Sequence, residues 1–143
     1  MSRRKGRVLA FQALYSHDVG GVPVDDLLTF SWANEDGSSG ADTDKEEYLF
    51  ARLLVTGTME HIDEIDGLIK SHLAANWNFD RLNKVSLSIL RMSVYSLLYQ
   101  KETSASIVID EAVNMAKDFG ADDSFKFINA VLDKIGKAAS QEG

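Results

Sequence analysis

Apolar residues recur along this chain at spacings of three and four, the period of an α-helix with one buried face. Residues 4–18 carry two such stripes. Gly6, Ala10, Ala13, Leu14 and His17 make a face small enough for close helix packing, and Arg4, Val8, Phe11 and Tyr15 make a second, with Arg7 beside it. Gly20-Gly21-Val22-Pro23 predicts a turn, since glycine frees the backbone and proline resists continuation, and a short helix is expected over about residues 24–33. Residues 34–44 (NEDGSSGADTD) are polar, acidic and rich in Gly and Ser, which predicts a mobile surface loop within one domain spanning 1–143.

One long helix is expected from about residue 45 to 73, apolar through Phe50, Leu53, Leu54, Ile62, Ile65, Leu68, Ile69 and Leu73, with Gly57 marking a kink or a close helix crossing. Residues 76–82 (NWNFDRL) break the pattern and are expected to tuck Trp77 and Phe79 into the core. A strongly apolar helix then begins at Asn83 or Lys84 and runs to about Tyr99. Arg91 interrupts it and must reach a partner or the surface, because an unpaired buried charge is prohibitive. Residues 104–119 form an amphipathic helix on Ile109, Ala112, Val113 and Ala116. Gly120 suits a left-handed closing residue, and Asp122 or Asp123 suits the cap of a last helix whose buried face is Phe125, Ile128, Val131, Leu132 and Ile135. No strand pair with hairpin chemistry and no internal repeat occurs, so the fold class is all-α, about six or seven helices.

Composition narrows the function classes. The chain of 143 residues can bury a core without staples, and with no cysteine it has no disulfide, cysteine-zinc site or thiol nucleophile, as suits a reducing cytoplasm. No apolar run approaches the roughly 20 residues that span a bilayer, so no membrane partner is expected, and no apolar stretch follows the basic start as in a secretory signal. The net charge of −7 argues against indiscriminate nucleic-acid binding. Its distribution changes that picture: Arg3, Arg4, Lys5 and Arg7 make a concentrated basic tip on an acidic body.

Two places combine such cations with rings. The Arg4-Val8-Phe11-Tyr15 stripe offers guanidinium for phosphate and rings for bases, as single-stranded RNA requires, and reads equally as a helix packed on two sides. Phe127 sits about a quarter-turn off the apolar face of the last helix, flanked by Lys126 and Lys134, so it is either a stacking platform or the edge of a core. Other chemistry is sparse. His17, His61 and His72 are scattered, and Glu60-His61-Asp63-Glu64 reads as a solvated face because the Glu-x-x-His pairs of a bundle di-iron site are missing. There is no phosphate loop, dinucleotide fingerprint or nucleophile elbow. A non-enzyme without metal or cofactor is expected.

The residues themselves resemble a known family. Arg4-Lys5-x-Arg7 with Gln12-Ala13-Leu14-Tyr15, Leu82-Asn83-Lys84-Val85 with Ile89-Leu90-Arg91, and Val94-Tyr95-x-Leu97-Leu98-Tyr99 are similar to the NusB family of bacterial transcription antitermination factors. The likeness is densest over Ile109-x-Glu111-Ala112-Val113-x-x-Ala116-Lys117-x-Phe119-Gly120 and Asp123-Ser124-x-Lys126-Phe127-Ile128-Asn129-x-Val131-Leu132-Asp133. The resemblance implies two small helical bundles without catalytic activity. It further implies binding of boxA-type single-stranded RNA in ribosomal leader transcripts, together with NusE, a small-subunit ribosomal protein, in the service of the RNA polymerase elongation complex. It carries RNA contacts onto Arg4, Lys5, Arg7, Tyr15, Lys126 and Phe127, with Arg91 a weaker candidate. Arg3 of the basic tip and Asp123, which would stand near phosphates, complete the set. Tyr15, Ser86 and Leu87 are the positions implied for the protein partner.

The chain departs from the family at Ser86-Leu87-Ser88, where an acidic and then a basic residue are usual, which implies an altered NusE contact. Ser104 and Ser106 stand for a common proline and lysine, Phe125 for a histidine and Ala130 for a glycine. Two rivals are a NusB-like domain of an RNA cytosine methyltransferase, disfavoured because no methyltransferase region is present, and a helical protein that associates only with protein, as a homodimer of the kind some family members form.

Overall fold

The computed structural model describes residues 3–33 and 46–142, and the acidic loop expected at 34–44 lies outside the described residues. Seven α-helices follow in order: α1 (Arg3–Gly20), α2 (Val24–Leu27), α3 (Glu46–Glu60), α4 (Ile62–Ser71), α5 (Lys84–Tyr99), α6 (Ala105–Phe119) and α7 (Ser124–Glu142). Short 3₁₀ turns occupy Ser31–Ala33 and Phe79–Arg81, and no strand occurs among the described residues. The all-α expectation holds.

Local signals account for several helix ends. Asn83 caps α5 by accepting from the N–H groups of Val85 (3.0 Å) and Ser86 (3.1 Å), and Ser104 caps α6 through the N–H of Ile107 (3.4 Å). α1 stops where Gly21 turns left-handed, at φ 69°, and its N–H reaches back to the carbonyl of His17 (3.1 Å). Gly120 is different from expectation. Its backbone is extended, at φ −92°, and glycine is needed there for space: an added Cβ would lie 2.6 Å from Ser124 Oγ and 2.8 Å from the Ala116 carbonyl. The left-handed residue of this corner is Asp123, at φ 66°, a conformation that excludes the usual extended cap geometry expected for it.

The helix expected over 45–73 is two helices. At His61 the backbone leaves helical geometry (φ −116°, ψ 22°), and its N–H is shared between the carbonyls of Gly57 (3.3 Å) and Thr58 (3.2 Å). The break re-aims α4 so that Ile65 and Ile69 are buried. Because the apolar spacing runs through it, the pattern carries no mark of the break. Gly57 is the close crossing: the Tyr95 ring of α5 rests on it, and a Cβ there would stand 2.1 Å from Tyr95 Cζ.

α5 is the shared element of two small bundles. On one side α1, α3 and α4 pack around it, with α2 against α1, and on the other α6 and α7 pack on it and on each other. Arg91, in mid-α5, is the charge that binds three helices. Its Nε and Nη2 donate to both carboxylate oxygens of Asp66 on α4 (2.8 and 2.9 Å), and Nη1 lies 3.6 Å from Asp18 on α1. Burial alone would lower the Arg91 pKa, but the hydrogen bonds and charge of Asp66, with Asp18 behind them, leave it raised.

Removing one partner of such a part-buried pair strands the other charge. Arg91→Ala should therefore lower unfolding stability by about 3 kcal/mol in urea denaturation, and adding Asp66→Ala should recover part of that loss. A loss below about 1 kcal/mol would assign the joint to apolar packing alone.

Candidate nucleic-acid interface

The first turn of α1 holds Arg3, Arg4 and Lys5 in the open, and no acidic residue stands in that turn. Three cations at the positive end of a helix dipole oppose it, so the arrangement needs help from other helices. Arg4 Nε and Nη2 donate to the Glu111 carboxylate of α6 (3.2 and 3.3 Å), a bond that raises the Arg4 pKa, and Lys5 Nζ lies 3.4 Å from Glu47 of α3. The Arg3 guanidinium sits over the Phe50 ring at 4.5 Å.

Arg7 does not join them. It is only 7% exposed, its guanidinium 5.4 Å from the Phe50 ring centre, and burial lowers its pKa. The cause is Gly6, whose missing side chain lets α1 approach α3 so closely that a Cβ would lie 2.9 Å from both the Glu47 carbonyl and Phe50. Arg7, on the same approach, is drawn into the packing, so its expected role as a free phosphate contact is corrected.

The aromatic stripe of α1 divides in the same way. Phe11 is core, packed on Phe119 at 5.2 Å between ring centres, whereas Tyr15 is half-buried and reaches the surface. Phe119 itself, the last residue of α6, is 45% exposed. Sequence reasoning gave it no role, although an aromatic ending a helix just before the Gly120 corner was there to be noticed.

At the start of α7, Phe127 is half-buried and Lys126 exposed, the lysine 3.5 Å from Asp123. Phe125 is half-buried, with Lys117 Nζ 4.9 Å and Lys126 Nζ 5.9 Å from its ring centre. Trp77, expected in the core, is 50% exposed and lies against Phe127 at 4.7 Å, the rings inclined by 39°. It was missed because an irregular segment has no periodicity to say which way a ring points. Phe79, two residues on, is half-buried, with Lys70 Nζ over its ring at 4.8 Å.

Three other expected positions are not at this surface. Arg91 is spoken for by Asp66 and Asp18, so its guanidinium is not free for phosphate. Ser86 and Leu87 are 3% and 1% exposed, because the other helices close over the start of α5, and neither side chain presents a contact to a partner in this arrangement. What remains is a set of exposed cations on α1 and α7, with Tyr15, Phe119, Phe127 and Trp77 as rings. Such a set offers ionic contacts and stacking faces. Among the described residues no group of three His, Asp or Glu side chains could hold a metal ion, and no helix is long and apolar enough to cross a membrane.

Comparison with known proteins places the chain in a family. The NusB family pattern matches residues 4–137. The chain is 59% identical over 135 residues to transcription antitermination protein NusB of Treponema denticola, covering 94% of this chain and 96% of the relative. It is 35% identical over 140 residues to the protein of that name from Myxococcus xanthus, covering 98% of each. Among solved structures, T. maritima NusB matches with a TM-score of 0.81 at 33% identity, over 96% of this chain and 92% of that one. A chain of the crystal structure of antitermination factors NusB and NusE in complex with dsRNA matches with a TM-score of 0.80 at 31% identity, over 95% and 96%. With the pattern running through nearly every helix and the fold shared with solved members, this chain belongs to the NusB family.

Proposed function

We propose that this protein is a transcription antitermination factor that binds boxA-type single-stranded RNA together with the ribosomal protein NusE, supports elongation by RNA polymerase, and works in the cytoplasm by binding rather than catalysis. The relatives' name supports the antitermination part of this reading, and a structural neighbour's complex with NusE and dsRNA supports the NusE and RNA parts; the preference for single strands rests on the exposed rings of this chain. The observation on this chain that carries it is the exposed basic turn of α1, set on an otherwise acidic protein.

The ion pairs already present do not obstruct RNA. Arg4 and Lys5 have side chains 65% and 55% exposed, and an exposed pair contributes only about 0–1 kcal/mol, so phosphate can replace Glu111 or Glu47 at little cost. Tyr15 and Phe127 supply stacking surface, Lys126 a further cation, and Arg3 a guanidinium held over Phe50. The NusE contact is assigned to the exposed surface around Tyr15 and the start of α5, where Lys84 rather than Ser86 or Leu87 faces outward. A second reading, association through protein alone, has one observation in its favour: Leu49 and Leu53 are exposed one turn apart on α3.

Titration with boxA-type RNA, with and without NusE, separates the two readings. Each phosphate neutralised adds roughly 0.7 to the salt slope of single-stranded RNA binding, so Arg4→Ala with Lys5→Ala should flatten the slope by about one to one and a half. Phe127→Ala should weaken binding by about 1–3 kcal/mol at unchanged slope. RNA binding without salt dependence, or insensitive to these changes, leaves the protein-association reading.

Asp123 makes an opposite contribution. Its carboxylate stands beside Lys126 and Phe127, where it would repel phosphate. Asparagine is as tolerant of the left-handed backbone at φ 66° and carries no charge. Asp123→Asn should tighten RNA binding, most at low salt, and change the melting temperature little, whereas Asp123→Ala should cost about 1 kcal/mol of stability through the strained backbone. Equal or weaker RNA binding by folded Asp123→Asn would place the RNA away from this corner.

A further inference from the structure

We propose that Trp77 is a base-stacking residue of the RNA site, its open indole face extending the aromatic surface that begins at Phe127. The assignment rests on the RNA-binding reading above. Trp77 lies in the irregular segment between α4 and α5, far in sequence from Tyr15, Phe119 and Phe127, and only the fold brings it onto Phe127.

The geometry is that of a shelf. The rings stand 4.7 Å apart between centres and inclined at 39°, so the indole packs against Phe127 while half of the residue remains in water. A tryptophan serving the core alone would hide most of its large apolar area rather than leave on the order of 100 Å² wet. The segment around it is nevertheless held firmly. The Trp77 N–H bonds to the Ala74 carbonyl (2.9 Å), the Asn78 side chain accepts from the Asp80 N–H (2.9 Å), and Phe79 sits under the Lys70 ammonium at 4.8 Å. A ring fixed by its flanks and half in water is preorganised for stacking.

The other tryptophan, Trp32, is also exposed, at 42%, and differs in how its polar edge is held. Trp32 donates its Nε1–H to the Leu27 carbonyl (3.0 Å) and leans on Phe30 at 5.5 Å, whereas the Trp77 Nε1–H has no hydrogen bond among the described residues. Nucleic acid is favoured over a protein occupant by what surrounds the shelf. Lys126 adjoins Phe127, exposed Arg81 and Lys70 lie on the same segment and the helix before it, and the exposed amides of Asn76 and Asn78 suit base edges. The exposed carboxylates of Asp80 and Asp123 would weaken the phosphate side of such a contact, which puts the weight on stacking.

The test uses the full chain with Trp32→Phe, leaving Trp77 as its one tryptophan. Saturation with a short boxA-type single-stranded RNA should quench Trp77 emission, while heparin, a polyanion without bases, should not. In the unaltered background Trp77→Ala should weaken RNA binding roughly 5- to 150-fold at unchanged salt slope and melting temperature, and Trp77→Phe should restore most of it. Absence of quenching, or unchanged RNA affinity in Trp77→Ala while Phe127→Ala binds less, overturns the Trp77 assignment and leaves the RNA-binding reading standing. Loss of NusE affinity with RNA binding by the chain alone intact makes the shelf a protein contact and overturns it too. No salt-dependent RNA binding by the unaltered protein removes both readings together.

Discussion

Everything in this structure is arranged around a helix that has no free side. Eleven of the 16 residues of α5 are buried, under α1, α3 and α4 on one flank and under α6 and α7 on the other. A helix enclosed in that way must be apolar or small all round. Here it is both: Ile89, Leu90, Val94 and Leu97 fill the core, while Ser86, Ser88, Ser93 and Ser96 let neighbours approach closely. The hydroxyls are made harmless locally where their bonds are visible, Ser88 donating to the Lys84 carbonyl (2.9 Å) and Ser96 to the buried Gln100 side chain (2.7 Å). The one charge admitted, Arg91, uses the enclosure to join α1 and α4.

That constraint bears on Ser86-Leu87-Ser88, the segment expected to face a protein partner. All three side chains are buried, small or apolar groups that fill the inside of the fold rather than its surface. The outer end of the cluster has its own logic. Tyr99 stacks on His61 at 4.1 Å and its hydroxyl donates to Glu64, a bond that raises the Tyr99 pKa. The break between α3 and α4 is thereby clasped to the end of α5 by rings that sequence periodicity does not distinguish from ordinary surface residues.

What could be read from the sequence follows a physical line. Helices α5, α6 and α7 were legible because burial on one face writes itself as spacing, and caps at Asn83 and Ser104 are chemistry with few alternatives. Positions decided by a neighbouring helix were not. Arg7 looked like its exposed neighbours until Gly6 brought α3 within reach, and His61 lay inside an unbroken apolar rhythm. Neither Gly120 nor Asp123 has its expected role, because a crowded corner needed the missing side chain at one and tolerates a left-handed aspartate at the other. Trp77 is the sharpest case, since its exposure depends on Phe127, fifty positions away.

The candidate interface is nearly neutral when empty, and that has a consequence for selectivity. Arg4 faces Glu111, Lys5 faces Glu47 and Lys126 faces Asp123. A phosphate entering such a site exchanges with a carboxylate, so its gain is the difference between two exposed ion pairs rather than the whole of one. Ionic contact then locates a polyanion without holding it tightly, in keeping with an acidic protein that must ignore most nucleic acid. The remaining affinity has to come from rings, and stacking is available only where bases are already unpaired. A duplex, with its bases closed, offers this surface only the weak half of the interaction. Under the proposed function, neutralised cations beside open aromatics would select single strands by physical state first, before any base edge is read.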